Sequence, residues 1–277
     1  MKDFKYIFWG TPDFAAIILE KLVKAGFLPE AVVCNPDRPV GRKKIITPPL
    51  VKQLALNNKK WQTEILQPEE FTEDFKLQLS GLKPDFFVIA AYGKIIPKEI
   101  LEIPRLGAVV VHPSLLPKYR GASPIQSVIL NGEKETGTTL FLADEKVDHG
   151  KILAASALLL EANDNYGSLL KKLAELSGNL LVEKLPKFVK GEITPLVQDE
   201  AQATYTKKFI TEDSYVNLEK DEPVVIERKA RALNPEPGVW TNLNSKRTKI
   251  LEVELTPDGK IKLKKIQFEG KRPTIFN

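Results

Sequence analysis

The sequence predicts an α/β protein built mainly on a doubly wound, mostly parallel, Rossmann-like sheet and ending in a small β-rich module. Three observations carry that prediction. Short apolar runs alternate with amphipathic helical stretches through the first part of the chain. Glycines and polar residues stand where those runs end, which is where open sheets of this kind bind ligands. After Ser214 the pattern changes to one helix followed by runs of period two separated by turn residues.

The elements follow in order. Lys5 to Gly10 reads as a buried strand ending in glycine. Thr11 and Pro12 then supply an N-cap and a first helical residue, and Phe14, Ile17, Ile18 and Leu22 recur at helical spacing. Glu30 to Cys34 is a second strand. A loop rich in proline and basic residues leads to a helix over Pro48 to Leu56. Thr63 to Gln67, Asp85 to Ala91 and Gly107 to His112 are further strands, with a helical stretch from Glu69 to Leu79 between the first two. Leu169, Leu170, Leu173, Leu176, Leu180, Leu181 and Leu185 give a long amphipathic helix from Asn165 to Val189. The organisation expected is a larger N-terminal domain over 1–191, a polar linker over 192–204 and a small C-terminal domain over 205–277.

Composition narrows the class. The chain has 277 residues, 43% hydrophobic and 28% charged, as ordinary globular proteins do. Its opening residues lead straight into a strand pattern and its apolar runs are too short to span a bilayer, so the expectation is a cytoplasmic protein with no membrane contact. One cysteine and two histidines leave no material for a disulfide or a metal site rich in these residues, and Cys34, at the end of an apolar run, reads as a packed thiol. The net charge of +5 is uneven: from Thr204 onward 15 Lys and Arg stand against 11 Asp and Glu, which is +4 for that segment. Such a tail suits a polyanion. Lys260, Lys262 and Lys264 alternate along one strand face, with Arg228, Lys229, Arg231, Lys246 and Arg247 elsewhere in the tail to follow a phosphate backbone.

The residues best suited to chemistry are His112, at the end of a buried strand pattern, and Asp148, in a turn just before Gly150. An imidazole oriented by a carboxylate moves protons and stabilises the charged tetrahedral intermediate of acyl transfer. The glycine patterns of dinucleotide binders and of phosphate-cradling loops are both absent.

The strings HPSLLPKYRG at 112–121 and DHG at 148–150 resemble the motif of the 10-formyltetrahydrofolate-dependent formyltransferases. FWGTPDFA at 8–15, NPDRPVGR at 35–42 and AAYGKIIP at 90–97 are similar to the methionyl-tRNA formyltransferase branch of that family. In the tail, ATYTKKF at 203–209 and RALNPEPGVWT at 231–241 resemble its oligonucleotide-binding-like C-terminal domain, here in a reduced version with Glu236 where the family has an aromatic. The resemblance implies formyl transfer from 10-formyltetrahydrofolate to initiator methionyl-tRNA, by a monomer with no metal. It implies His112 and Asp148 as the catalytic pair, with Val110 at the position of the family's catalytic asparagine. It implies that Ser114, Leu115, Leu116 and Pro117 hold folate, with Ala90, Tyr92 and Gly93 on the opposite wall. Arg38, Arg42, Lys43 and Lys44 would meet the acceptor end of the tRNA, Arg42 at the key position. Two other readings stay open: a sugar-amine N-formyltransferase, and a folate- or tRNA-binding protein whose catalysis Val110 has weakened.

Overall fold

The computed structural model describes residues 4–41, 43–58, 61 and 63–276. In chain order the elements are β1 (Tyr6–Gly10), α1 (Asp13–Lys24), β2 (Ala31–Val33), β3 (Arg38–Val40), β4 (Ile45–Thr47), α2 (Leu50–Asn57), β5 (Glu64–Leu66) and α3 (Glu73–Gly81). Then come β6 (Phe86–Ala90), α4 (Lys98–Leu101), β7 (Ala108–His112), β8 (Arg120–Gly121), α5 (Pro124–Asn131), β9 (Glu135–Leu142), β10 (Ile152–Leu159) and α6 (Tyr166–Val189). The chain closes with β11 (Tyr205–Thr206), α7 (Pro223–Leu233), β12 (Trp240–Leu243), β13 (Lys246–Leu255), β14 (Ile261–Phe268) and β15 (Thr274–Ile275). Two compact units result, one of Met1–Lys118, Gly137–Ala157 and Lys171–Ala203, the other of Tyr119–Thr136, Leu158–Leu170 and Thr204–Asn277.

The first unit is built on a seven-stranded sheet in the order β10-β9-β7-β6-β1-β2-β5. Strands β5, β2, β1, β6 and β7 run parallel, and β9 joins β7 antiparallel. β1 and β6 are buried along their whole length, because helices cover both sides and every side chain must be apolar. Trp9, Phe75, Phe87 and Tyr92 fill one side of the sheet, with Trp9 edge-on to Tyr92 at a centroid distance of 5.1 Å. α6 closes against α1 at Gly178, where an added Cβ would stand 2.8 Å from Cβ of Lys21, so only glycine permits the approach.

Local details depart from the sequence reading. Thr11 does not cap α1: its hydroxyl accepts from the Asn35 N–H at 3.2 Å, and Pro12 holds the N-cap position without a side-chain bond. The basic loop after β2 is a hairpin of β3 and β4, paired Arg38 with Thr47 and Val40 with Ile45. The helix expected from Glu69 begins later, capped by Thr72, whose hydroxyl accepts from the Phe75 N–H at 3.3 Å. Residues 192–204 are not a plain linker: Leu196 exchanges two backbone hydrogen bonds of 2.8 Å with Ile152.

In the second unit α5 and α7 pack together, and β12, β13, β14 and β15 form an antiparallel sheet in that order. Gly132, at the C-cap of α5 with φ 66°, leaves the space that the Arg228 guanidinium fills. Several cations of the tail are engaged internally. Arg231 pairs with Glu227 and donates to the Asp164 carbonyl at 2.7 Å, and Lys229 donates to the Tyr215 carbonyl at 2.8 Å. Lys264 lies 3.4 Å from Glu254, and Lys260 lies 2.9 Å from Asp258. Arg247 stacks over Trp240 at 4.3 Å, as a guanidinium does on an indole face. Among the described residues no helix is long and apolar enough to cross a membrane.

Candidate active site

β7 carries the site's first two residues. It lies between β6 and β9, with Val110 opposite Ile89 on one side and Phe141 on the other, and His112 opposite Thr139. Val110 and His112 are two apart on the strand, so their side chains share one sheet face. His112 is 5% exposed. Its Nδ1 lies 3.5 Å from Oδ2 of Asp148, within ion-pair range and long for a hydrogen bond. Its carbonyl accepts from the Ser114 N–H at 2.9 Å and from the Thr138 hydroxyl at 3.3 Å, which fixes the strand end.

Asp148 reaches His112 from the turn between β9 and β10. Its backbone is left-handed, with φ 49°, a conformation disfavoured for a residue with a Cβ. Two residues on, an added Cβ on Gly150 would stand 1.7 Å from the Leu142 carbonyl oxygen, so only glycine lets the turn close against β9. The Gln198 amide donates to the carbonyls of Asp148 at 2.9 Å and Gly150 at 2.7 Å.

A cavity of about 830 Å³ opens beside this pair. Val110 and Asp148 both line it, with Ile89, Ile96, Leu101 and Phe141 as apolar walls. Polar residues contribute too: Lys94, Lys98, Glu102, Asp144, Glu145 and Lys146. Glu145 pairs with Lys98 and raises its ammonium pKa above the ordinary value. Ile95, 92% exposed, also belongs to the lining.

The other residues singled out in the sequence fall into three places. Ser114 to Pro117 form a turn that Thr139 pins, its hydroxyl donating to the Ser114 carbonyl at 2.7 Å and accepting from the Leu116 N–H at 3.1 Å. The Ser114 hydroxyl donates to the Lys118 carbonyl at 2.7 Å, and Leu115 packs over Gly137, where an added Cβ would meet it at 2.5 Å. These four residues are not among those that line the cavity. Ala90 lies in the sheet and Tyr92 in the core, its phenol pushed above the ordinary range by burial and, less, by Cys34. Gly93, with φ 85°, turns the chain just before the run 94–98, which lines the cavity.

Arg38, Lys43 and Lys44 belong to the β3–β4 hairpin, and Arg42 lies outside the described residues. Arg38 meets Glu69 at 2.6 Å, both side chains exposed. At the hairpin's base the Asp37 carboxyl is held below its ordinary pKa by hydrogen bonds from Gln67 and Lys52. No group of three or more His, Cys, Asp and Glu among the described residues could hold a metal ion. Two participants escaped the sequence reading. Gln198 is one polar residue in a polar run and carries no local signal. His149, beside Asp148 in the turn, has Nδ1 2.5 Å from Asp144 and Nε2 3.5 Å from Glu200.

Residues 4–185 match the formyl transferase family, and residues 208–261 match the formyl transferase C-terminal domain. The sequence is 42% identical over 258 residues to a methionyl-tRNA formyltransferase of Staphylococcus aureus (strain MW2), covering 93% of this chain and 81% of that protein. Among solved structures, methionyl-tRNA formyltransferase from Clostridium thermocellum overlays with a TM-score of 0.63 at 20% identity, covering 96% of this chain and 98% of that one. HypX from Aquifex aeolicus in complex with tetrahydrofolic acid overlays with a TM-score of 0.68 at 17% identity; it covers 98% of this chain, which spans 45% of that protein.

Proposed function

The chain belongs to the formyl transferase family, and from that premise we propose that it transfers the formyl group of 10-formyltetrahydrofolate to the amino group of initiator methionyl-tRNA. The observation that carries the reading is His112 and Asp148 at 3.5 Å, with Asp148 and Val110 lining one cavity. The cavity suits the donor in size and lining: apolar walls accept a flat heteroaromatic ring, and a few polar groups orient it.

The uncharged amine attacks the formyl carbon, the carbonyl oxygen becomes an oxyanion, and the bond from that carbon to the folate nitrogen breaks. One proton leaves the amine and one reaches the departing nitrogen, so the exchange balances. Protonated His112 stabilises the oxyanion, while Asp148 takes the amine's proton and passes it on to the folate nitrogen as the carbon–nitrogen bond breaks. Val110 has no donor to offer the oxyanion. Loss of one such donor typically slows the step about a hundred- to a thousandfold, so this site runs below the family's full rate.

On this reading 1–191 is the catalytic domain and 205–277 the tRNA-binding domain, working in the cytoplasm as a single copy. Ser114 to Pro117 act through the turn that holds His112, while Ala90, Tyr92 and Gly93 set the course of the cavity wall. Arg38, Arg42, Lys43 and Lys44 meet phosphates of the acceptor end, as guanidinium and ammonium groups do. Identity of 42% over nearly the whole chain to a methionyl-tRNA formyltransferase favours tRNA over an amino sugar. A competition assay tests the choice: with both acceptors present, formyl should pass to methionyl-tRNA, and transfer to a nucleotide-linked amino sugar instead would overturn the reading.

A further inference from the structure

We propose that Gln198 is a positioning residue for formyl transfer, holding the Asp148 turn so that its carboxylate stays within reach of His112; this rests on the proton-transfer role given to Asp148 above. Gln198 is 6% exposed, although the run around it is polar and Leu196 and Val197 are exposed. A glutamine amide has two N–H donors, and here the same nitrogen serves both the Asp148 carbonyl at 2.9 Å and the Gly150 carbonyl at 2.7 Å. These two bonds fix the Asp148–His149 and Gly150–Lys151 peptide planes, directly after the point where Asp148 adopts φ 49°. A left-handed residue with a Cβ persists only where its surroundings hold it.

The neighbours of Gln198 grip the same turn. Leu196 exchanges two backbone bonds of 2.8 Å with Ile152, just past the turn. Glu200 reaches Nε2 of His149 at 3.5 Å, while Nδ1 of that ring lies 2.5 Å from Asp144, a residue of the cavity wall. Segment 196–200 therefore ties the turn at three points, and Gln198 is the tie that acts on Asp148 itself.

The test compares Gln198→Met, which keeps length and volume but removes both donors, with Gln198→Glu, which keeps volume and polarity but can only accept. Steady-state formylation of methionyl-tRNA is measured together with thermal melting, and Asp148→Asn serves as the reference. In Gln198→Met, kcat should fall about tenfold to a hundredfold, because a displacement of order 1 Å costs that much, while KM for folate stays within about twofold. Gln198→Glu should fall at least as far, since its carboxylate faces two carbonyl oxygens. A kcat unchanged in both glutamine variants while Asp148→Asn is inactive overturns the brace. So does a matching rise in KM, which would mark a general loosening of the pocket. Full activity of Asp148→Asn would instead overturn the role of Asp148, and the brace with it.

Discussion

Nδ1 of His112 and Oδ2 of Asp148 stand 3.5 Å apart at the end of β7, although one residue ends a parallel strand and the other sits in a left-handed turn. That meeting depends on two backbone features. The pairing of β7 with β9 brings His112 opposite Thr139, and the absence of a side chain at Gly150 lets the turn after β9 fold back against Leu142.

Gly150→Ala is therefore expected to separate the pair. Its Cβ would start 1.7 Å from the Leu142 carbonyl oxygen, so the turn must move. Formylation should fall about a hundredfold and the melting temperature should drop by several degrees. Crystallography of the variant should find Asp148 displaced from His112; an unmoved turn would refute the steric argument.

Val110→Asn should raise the single-turnover rate about a hundredfold, by supplying the amide donor that valine lacks. Val110 is partly buried against the apolar core, so the same variant should melt somewhat lower. A rate unchanged by asparagine would mean that another group already serves the oxyanion.

How much of this was legible in the sequence differs from element to element. β1, β6 and β7 are buried on both faces, so they read as continuous apolar runs, and Gly10 marks the end of β1. β9 and β10 were missed because Thr136, Thr138 and Thr139 interrupt the apolar pattern of the one, and alternate residues of the other stay exposed. The β3–β4 hairpin hides behind Pro39 and its cations, which read as loop. His112 and Asp148 stood out as residue types within a family-like motif, but their distance depends on the β7–β9 register and no local pattern encodes it. Gln198 was invisible for a related reason: its two acceptors lie across a tertiary contact.

Arg42→Ala, and the pair Lys43→Ala with Lys44→Ala, should raise KM for tRNA and flatten its salt dependence by about one logarithmic unit per lost phosphate contact. Folate binding should not change. Equal loss of folate and tRNA binding would point to a disturbed fold instead.

Cys34 supplies a test of packing by pH. Burial, with a smaller contribution from Asp37, pushes its thiol from 9.0 up to about 11 against the opposing effect of Lys52. The folded state thus keeps a proton that the unfolded chain releases. The stability gained from the neutral thiol is intact below 9.0 and is lost as pH rises from there through about 11. Urea titrations should register that decline, and Cys34→Ala should lack it. Near neutral pH a thiol reagent should label the protein only after unfolding.

The most direct measurement is single-turnover formylation of initiator methionyl-tRNA with 10-formyltetrahydrofolate saturating, for the protein and for His112→Ala, with folate affinity measured alongside. The account predicts formyl transfer by the unaltered protein, a fall of about a thousandfold or more in His112→Ala, and folate affinity unchanged. Equal rates in the two proteins, or no formylation by either, would contradict it.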